Sequence, residues 1–161
     1  MSEREPPAAI DTLIERRLAT LRELGCAAPA TLDSGQLRRL LLVSDYAFER
    51  LRRDPATINS LGKTPAAPGI DALLSADGLD ALRRYRHALS LDILWREVGS
   101  ATLEETLAAS TRQAECCIQL ALTAAEKAIA ERHGWLRNEK GEPRRLCVFA
   151  LGKLGGAGLK R

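Results

Sequence analysis

Apolar residues recur at helical spacing through most of this chain. The first series occupies residues 10–24 and is followed by Gly25, a residue suited to the position after a helix C-terminus. A second series occupies residues 37–51, and either Asp33 or Ser34 is a good N-cap for it. The pattern therefore predicts two helices, and it predicts that the second runs without a break.

Shorter elements and a linker follow the second helix. Asp54 and Pro55 indicate a short third helix, with the aspartate as its cap and the proline at its first position. Glycine and proline then mark residues 62–70 as a linker, and a short helical segment begins at its end. Asp77 is a suitable cap for a longer helix that ends near Gly99.

The third part of the pattern predicts a long helix, and after it a turn and a strand. Thr102 and Glu105 match a capping box, and the helical spacing continues to His133. At 1.5 Å per residue this helix is roughly 45 Å long. A turn follows at residues 138–143, and the apolar run at residues 146–151 contains valine and phenylalanine, which favours a buried strand.

The predicted fold is mostly α: a bundle-like helical segment followed by the first β-strand of a truncated α/β or α+β domain. A lone buried strand leaves its backbone donors and acceptors unpaired, so we expect it to belong to a further domain. We divide the chain into a helical region at 1–61, the linker at 62–70, a long-helix region at 71–134 and the start of the second domain at 135–161.

Charge and composition exclude several classes of protein. The 24 lysines and arginines nearly balance 21 acidic residues, and aromatic residues are only 4% of the chain, so we expect no nucleic-acid partner. No apolar run approaches the ~20 residues of a membrane span, so we expect no membrane partner. The four cysteines lack zinc-ligand spacing, which favours a reducing, cytoplasmic setting. His87 and His133 are isolated, and we expect structural roles for both.

Chemical specificity is concentrated in the glycines near the end of the sequence. Gly152 and Lys153 do not continue as a Walker A loop, and no dinucleotide-binding fingerprint is present. The remaining feature is the pair Gly155 and Gly156 after a predicted strand. Such a turn lets backbone N–H groups approach phosphate oxygens, with Lys153 as counter-charge. On composition alone, a plain flexible turn fits equally well.

The sequence offers no ligands for a divalent metal near this turn. It contains no Asp-x-Asp, and no carboxylate side chain follows Glu142. Magnesium is bound through oxygen ligands, chiefly carboxylates. We therefore predict that this chain holds no metal site and no catalytic residue.

Several stretches together resemble one family. They are residues 44–47 and 51–55, the arginine-rich stretch 82–87, residues 103–107, and Gly-Lys-Leu-Gly-Gly at 152–156. In these stretches the chain is similar to the bacterial glutamine synthetase adenylyltransferase/adenylyl-removing enzymes, within the DNA polymerase β-like nucleotidyltransferases. The resemblance implies that residues 135–161 begin a nucleotidyltransferase domain and that Gly152, Lys153, Gly155 and Gly156 bind nucleotide phosphates.

The resemblance also implies an activity. Members of the family carry two nucleotidyltransferase domains: one removes AMP from a tyrosine of glutamine synthetase by phosphorolysis, and the other attaches AMP from ATP. The implied cofactors are Mg²⁺ and ATP or ADP, and the implied partners are glutamine synthetase and the PII signalling protein. The function would be regulation of nitrogen assimilation.

The chain departs from the family pattern at particular positions. The family's metal-binding Asp-x-Asp would fall just beyond Arg161, and the family's acidic residue and asparagine are replaced by Gly158 and Lys160. Asp92 stands where members commonly have arginine. We therefore expect an N-terminal fragment that is inactive alone. Two alternatives are a non-enzymatic helical module that binds glutamine synthetase or a partner domain through residues 83–96, and an unrelated helical domain whose strand pairs in a homodimer.

Overall fold

The computed structural model describes residues 8–152, and this part of the chain is mostly helical. It contains six α-helices and one 3₁₀-helix, η1: α1 (Ala8–Glu23), α2 (Ser34–Val43), α3 (Asp45–Arg53), η1 (Pro55–Ser60), α4 (Ile70–Leu74), α5 (Gly78–Gly99) and α6 (Leu103–His133). The predicted caps at Asp33 and Gly25 are confirmed. Asp33 accepts a hydrogen bond from the Gln36 N–H, and Gly25 has a φ of 76° just beyond α1.

The prediction of one continuous helix over residues 37–51 is wrong, because the chain breaks at Ser44. Ser44 has an extended backbone, with φ −132° and ψ 101°. Its N–H still donates to the Leu40 carbonyl at the end of α2, while its hydroxyl oxygen accepts the Ala47 N–H at 3.1 Å and so caps α3. A serine hydroxyl that satisfies a free N–H stabilises a new helix start, which the apolar spacing does not reveal.

The described part of the chain divides into two compact units. The first comprises residues 8–65 and Leu91–Thr102, so it includes α1–α3, η1 and the last part of α5. Its core is built from leucines on these elements together with Trp95. The fully buried leucines are Leu21, Leu40, Leu41, Leu51 and Leu91.

Arg17 on α1 connects the three N-terminal helices of this first unit. Its guanidinium donates to the carbonyl oxygen of Leu41 in the last turn of α2 and to the carboxylate of Asp45 at the start of α3. The same group lies over the Phe48 ring, 5.0 Å from the centroid. One cation thus satisfies a carbonyl that has no partner within its helix and makes a cation–π contact.

Gly62 and Gly25 give a matched test of packing in the first unit. Both have a positive φ, 74° and 76°, but a Cβ on Gly62 would lie 3.0 Å from Nε1 of Trp95, whereas one on Gly25 would meet nothing within 4 Å. Alanine at either position carries the left-handed backbone cost of about 1–2 kcal/mol. We expect Gly62→Ala to lower the free energy of unfolding by ~1 kcal/mol more than Gly25→Ala, because Trp95 must also move. Urea denaturation of the two variants measures the difference, and equal losses would contradict the described packing.

The second unit comprises residues 66–90 and 103–152 and contains α4, the first part of α5, and α6. Gln113 on α6 donates to the Arg86 carbonyl at 2.8 Å and to the Ser90 hydroxyl at 2.6 Å. The Tyr85 hydroxyl and the Cys116 thiol lie 3.4 Å apart. This hydrogen bond, with burial, raises the pKa of Tyr85 to about 12, so the phenol stays protonated at neutral pH. Cys116 and Cys117 are half-buried here, in line with a packing role.

The predicted turn near residue 140 is present. The side-chain oxygen of Asn138 accepts the N–H groups of Lys140 and Glu142, and Arg137 forms an isolated antiparallel bridge with Pro143. The predicted strand at residues 146–151 is not formed among residues 8–152. Its physical reason is the absence of a neighbouring strand in this part of the chain, because a strand exists only through pairing.

No helix within residues 8–152 combines the length and the apolar character that crossing a membrane requires.

Candidate functional site

The described chain ends at the first residue of the predicted phosphate-binding turn. Gly152 has a φ of 66°, is exposed, and has open space where a Cβ would lie. A left-handed glycine is typical of a chain that turns sharply after an extended segment. Lys153, Gly155 and Gly156 lie outside the described residues, so their predicted role stays a prediction.

The segment that leads to Gly152 is anchored on α6 by one carboxylate. Glu126 is buried, with its side chain only 7% exposed. One of its oxygens accepts hydrogen bonds from Nε and Nη2 of Arg145, at 3.2 and 3.0 Å. The other accepts the backbone N–H of Leu146 at 2.8 Å. Three donors therefore converge on one buried acidic group.

These donors lower the pKa of Glu126 below its ordinary value of 4.5. The largest cause is the hydrogen bond from the Leu146 N–H, and the Arg145 hydrogen bond and charge act in the same direction; burial opposes them. Charge-assisted hydrogen bonds of this kind favour the ionised carboxylate. The anchor is thus built for a charged Glu126.

The lowered pKa predicts an acid-sensitive anchor. Because the folded-state pKa lies below the unfolded one, the contribution of Glu126 is complete above pH 4.5 and is lost as the pH falls through the lower, folded-state pKa. Arg145 and Glu115 are the other charged groups on the same groove. We expect the amide proton shift of Leu146 to titrate with a midpoint below 4.5. A midpoint above that value, or the same titration in Glu126→Gln, would contradict the assignment.

A groove with a volume of about 440 Å³ lies between α6 and this segment. Its lining combines one apolar wall with a few polar groups. The α6 side contributes Glu115, Ile118, Gln119, Leu122 and Glu126, and the other side Arg145, Leu146, Cys147, Val148 and Ala150. Along the segment, Leu146 and Val148 are 53% and 57% exposed, whereas Phe149 and Leu151 are 86% and 87% exposed. Leu146 and Val148 line the groove and Phe149 and Leu151 do not, which accounts for this difference.

Large apolar side chains remain exposed on the outer side of the same segment. Within the described residues, no backbone hydrogen bond joins residues 147–151 to another segment. Exposed apolar residues beside unpaired backbone groups are the features of an open strand edge. The segment therefore has both the side chains and the free backbone groups that pairing with a neighbouring strand requires.

Sequence reasoning missed Glu126. The available signal was its position: Glu126 lies one turn after Leu122 on α6, which places a carboxylate on the face that also carries this leucine. A separate expectation from the sequence is that this chain holds no metal site. Among residues 8–152, no three His, Cys, Asp or Glu side chains lie close enough together to hold a metal ion.

Comparison with known proteins gives consistent matches. The sequence model of the family described as Glutamate-ammonia ligase adenylyltransferase matches residues 34–160. A bifunctional glutamine synthetase adenylyltransferase/adenylyl-removing enzyme of Stenotrophomonas maltophilia (strain R551-3) is 41% identical over an alignment of 159 positions, gaps included, that covers 95% of this chain. The enzyme of the same name in Xanthomonas campestris pv. campestris (strain B100) is 39% identical over an alignment of 169 positions that covers 99% of this chain.

A more distant relative has the same name. The Pseudomonas aeruginosa enzyme is 31% identical over an alignment of 176 positions that covers 92% of this chain. The chain spans only 17–18% of the length of these curated relatives. No solved structure matches it significantly.

Proposed function

Because the chain belongs to the Glutamate-ammonia ligase adenylyltransferase family, we propose that it forms one part of an enzyme that attaches AMP to glutamine synthetase and removes it again. The observation that carries this proposal is the family match over residues 34–160, which includes α2 to α6 and the glycines at 152–156. The chain's helical units would precede the nucleotidyltransferase domain that removes AMP. The longer enzyme would act in the cytoplasm on glutamine synthetase and respond to the PII signalling protein.

We propose that residues 146–151 become the first strand of this nucleotidyltransferase domain. Their exposed apolar side chains and unpaired backbone support the proposal, because both would be covered by neighbouring strands of a longer protein. The glycine turn would then stand at the end of a strand. Gly152, Lys153, Gly155 and Gly156 would approach the phosphates of ATP or ADP through backbone N–H groups and the lysine charge.

The residues that the structure describes do not fit the magnesium ion that the family implies. Residues 8–152 hold no cluster of three metal-ligating side chains, and the sequence has no carboxylate side chain after Glu142. We derive no metal-dependent step from this chain, and we expect it to have no activity by itself. Its contribution to the reaction is binding and orientation of the nucleotide phosphates.

A chimera tests the proposed function. The chain replaces the aligned residues of the Stenotrophomonas maltophilia (strain R551-3) enzyme, and release of ADP from adenylylated glutamine synthetase and orthophosphate is measured. We expect the chimera to be active and the isolated chain to be inactive. A folded but inactive chimera would contradict the proposal, and so would activity of the isolated chain.

Arginines on α5 favour a second candidate, a non-enzymatic module that binds glutamine synthetase. Arg83, Arg84 and Arg86 are all exposed on this helix, as a docking surface for an acidic partner requires. A pull-down of glutamine synthetase with the isolated chain separates the two candidates. The module predicts capture that weakens with salt, while the first candidate predicts no capture.

A further inference from the structure

We propose that Glu126 is a positioning residue, which holds the segment 145–151 against α6 and thereby determines where Gly152, the first residue of the predicted glycine turn, lies. The inference rests on the proposed function for the role of the turn. Its structural part stands on Glu126 and the segment alone.

The anchor fixes two successive residues of the segment in different ways. Arg145 is held through its side chain and Leu146 through its backbone N–H, both by the same carboxylate. A backbone contact determines where the chain lies, and the adjacent side-chain contact determines which way it faces. Because Glu126 is buried on a helix, its own position is well defined.

The position of the segment on α6 is visible in its side chains. Leu146, Cys147, Val148 and Ala150 line the groove, whereas Phe149 and Leu151 do not line it and are the most exposed of its large apolar residues. Sliding of the segment by one residue would move Gly152 by about 3.3 Å at most.

A displacement of that size would remove the contacts proposed for the turn. Hydrogen bonds from backbone N–H groups to phosphate oxygens require donor–acceptor distances of about 2.7–3.2 Å. The turn begins six residues after Leu146, and residues 147–151 have no other described backbone hydrogen bond to hold them. Among the described residues, Glu126 is therefore the group through which α6 fixes the segment that leads to Gly152.

Glu126→Gln tests the structural part in the 161-residue chain, with Glu115→Gln as the matched control. Glu115 lies on the same helix and lines the same groove, but it makes none of the three hydrogen bonds of the anchor. We expect the Leu146 amide to exchange roughly tenfold faster in Glu126→Gln, since a hydrogen bond to a charged group is lost. The hydrogen-exchange rates of the backbone amides in α5 and α6 should be the same as in the original chain.

Backbone order parameters of residues 146–150 give the decisive measurement. We expect values near ~0.85 in the original chain and in Glu115→Gln, and below ~0.6 in Glu126→Gln. A merely global loss of stability would leave the order parameters of the folded state unchanged. Unchanged order in Glu126→Gln, or low order already in the original chain, would overturn the proposal.

The same pair of substitutions in the chimera tests the effect on the turn. We expect Glu126→Gln to lower kcat/KM for AMP removal about tenfold or more, since small misplacements near reacting groups are costly. Glu115→Gln should leave kcat/KM unchanged. If the parent chimera is inactive, the proposed function is wrong, but the order parameters still test whether Glu126 holds residues 146–150 in place. If the parent is active and Glu126→Gln matches it, the positioning role is wrong and the proposed function stands.

Discussion

Replacing Leu41 with alanine is expected to lower the free energy of unfolding of the first unit by about 2–5 kcal/mol. Leu41 is fully buried among the other leucines of α2 and α3 and the Trp95 ring. Removing its side chain forfeits the transfer free energy of three carbons and leaves a cavity that the neighbouring leucines fill only in part. The backbone carbonyl that accepts from Arg17 is retained, so the loss reports packing alone.

Val43→Ala is the matched control for this substitution. Val43 lies two residues later on the same helix, but its side chain is exposed, and we expect a change within about 0.5 kcal/mol. Trp95 reports unfolding of this unit by fluorescence, in a Trp135→Phe background that removes the other tryptophan. Similar losses for the two variants would show that Leu41 is not in the core.

Gly78→Ala is expected to destabilise the second unit by about 3 kcal/mol or more. Gly78 is the first residue of α5, and a Cβ there would overlap the Leu73 carbonyl oxygen and lie 2.6 Å from its carbon. The obstacle is backbone near the end of α4, so no side-chain rotation relieves it. The turn between α4 and α5 must open for the methyl group to fit.

Gly69→Ala controls for the loss of a glycine in the same unit. Gly69 has φ −67° and ψ 159°, which alanine adopts readily, and a Cβ there meets nothing within 4 Å. Alanine restricts the unfolded chain, which stabilises the fold, but it is a poorer N-cap than glycine, which destabilises α4. Because these two effects oppose each other, we expect the free energy of unfolding to change by no more than about 0.5 kcal/mol. Thermal unfolding followed by circular dichroism compares the two. A harmless Gly78→Ala would contradict the described α4–α5 turn.

Helices could be predicted from this sequence because their information is local. Apolar spacing located the long helices, and the glycines at 25 and 134, both with positive φ, ended two of them as expected. The break at Ser44 was not predicted, because the apolar pattern continues across it and only the hydrogen bond from the Ala47 N–H to the Ser44 hydroxyl marks the start of a new helix. Deciding between a capped break and a continuous helix requires knowledge of tertiary packing, which spacing does not contain.

The candidate site was less accessible to sequence reasoning. The apolar run at 146–151 predicted a strand. A strand forms only by pairing with another strand, and residues 8–152 contain none. Glu126 and Leu146 are twenty residues apart, and only the return of the chain along α6 brings them together. The glycines of the predicted turn were recognisable by composition, but the carboxylate that anchors the segment before them was not.

The most direct test of the account is nucleotide binding by the chimera with Gly156→Val. The branched side chain would block the close approach of backbone N–H groups to phosphate, while the control Gly69→Val lies in open space outside the turn. We predict that Gly156→Val weakens ADP binding about tenfold or more, the loss expected for one or two charge-assisted hydrogen bonds, and that Gly69→Val leaves it unchanged. Equal ADP affinity in the parent chimera and in Gly156→Val would contradict the claim that this chain carries part of a nucleotide site.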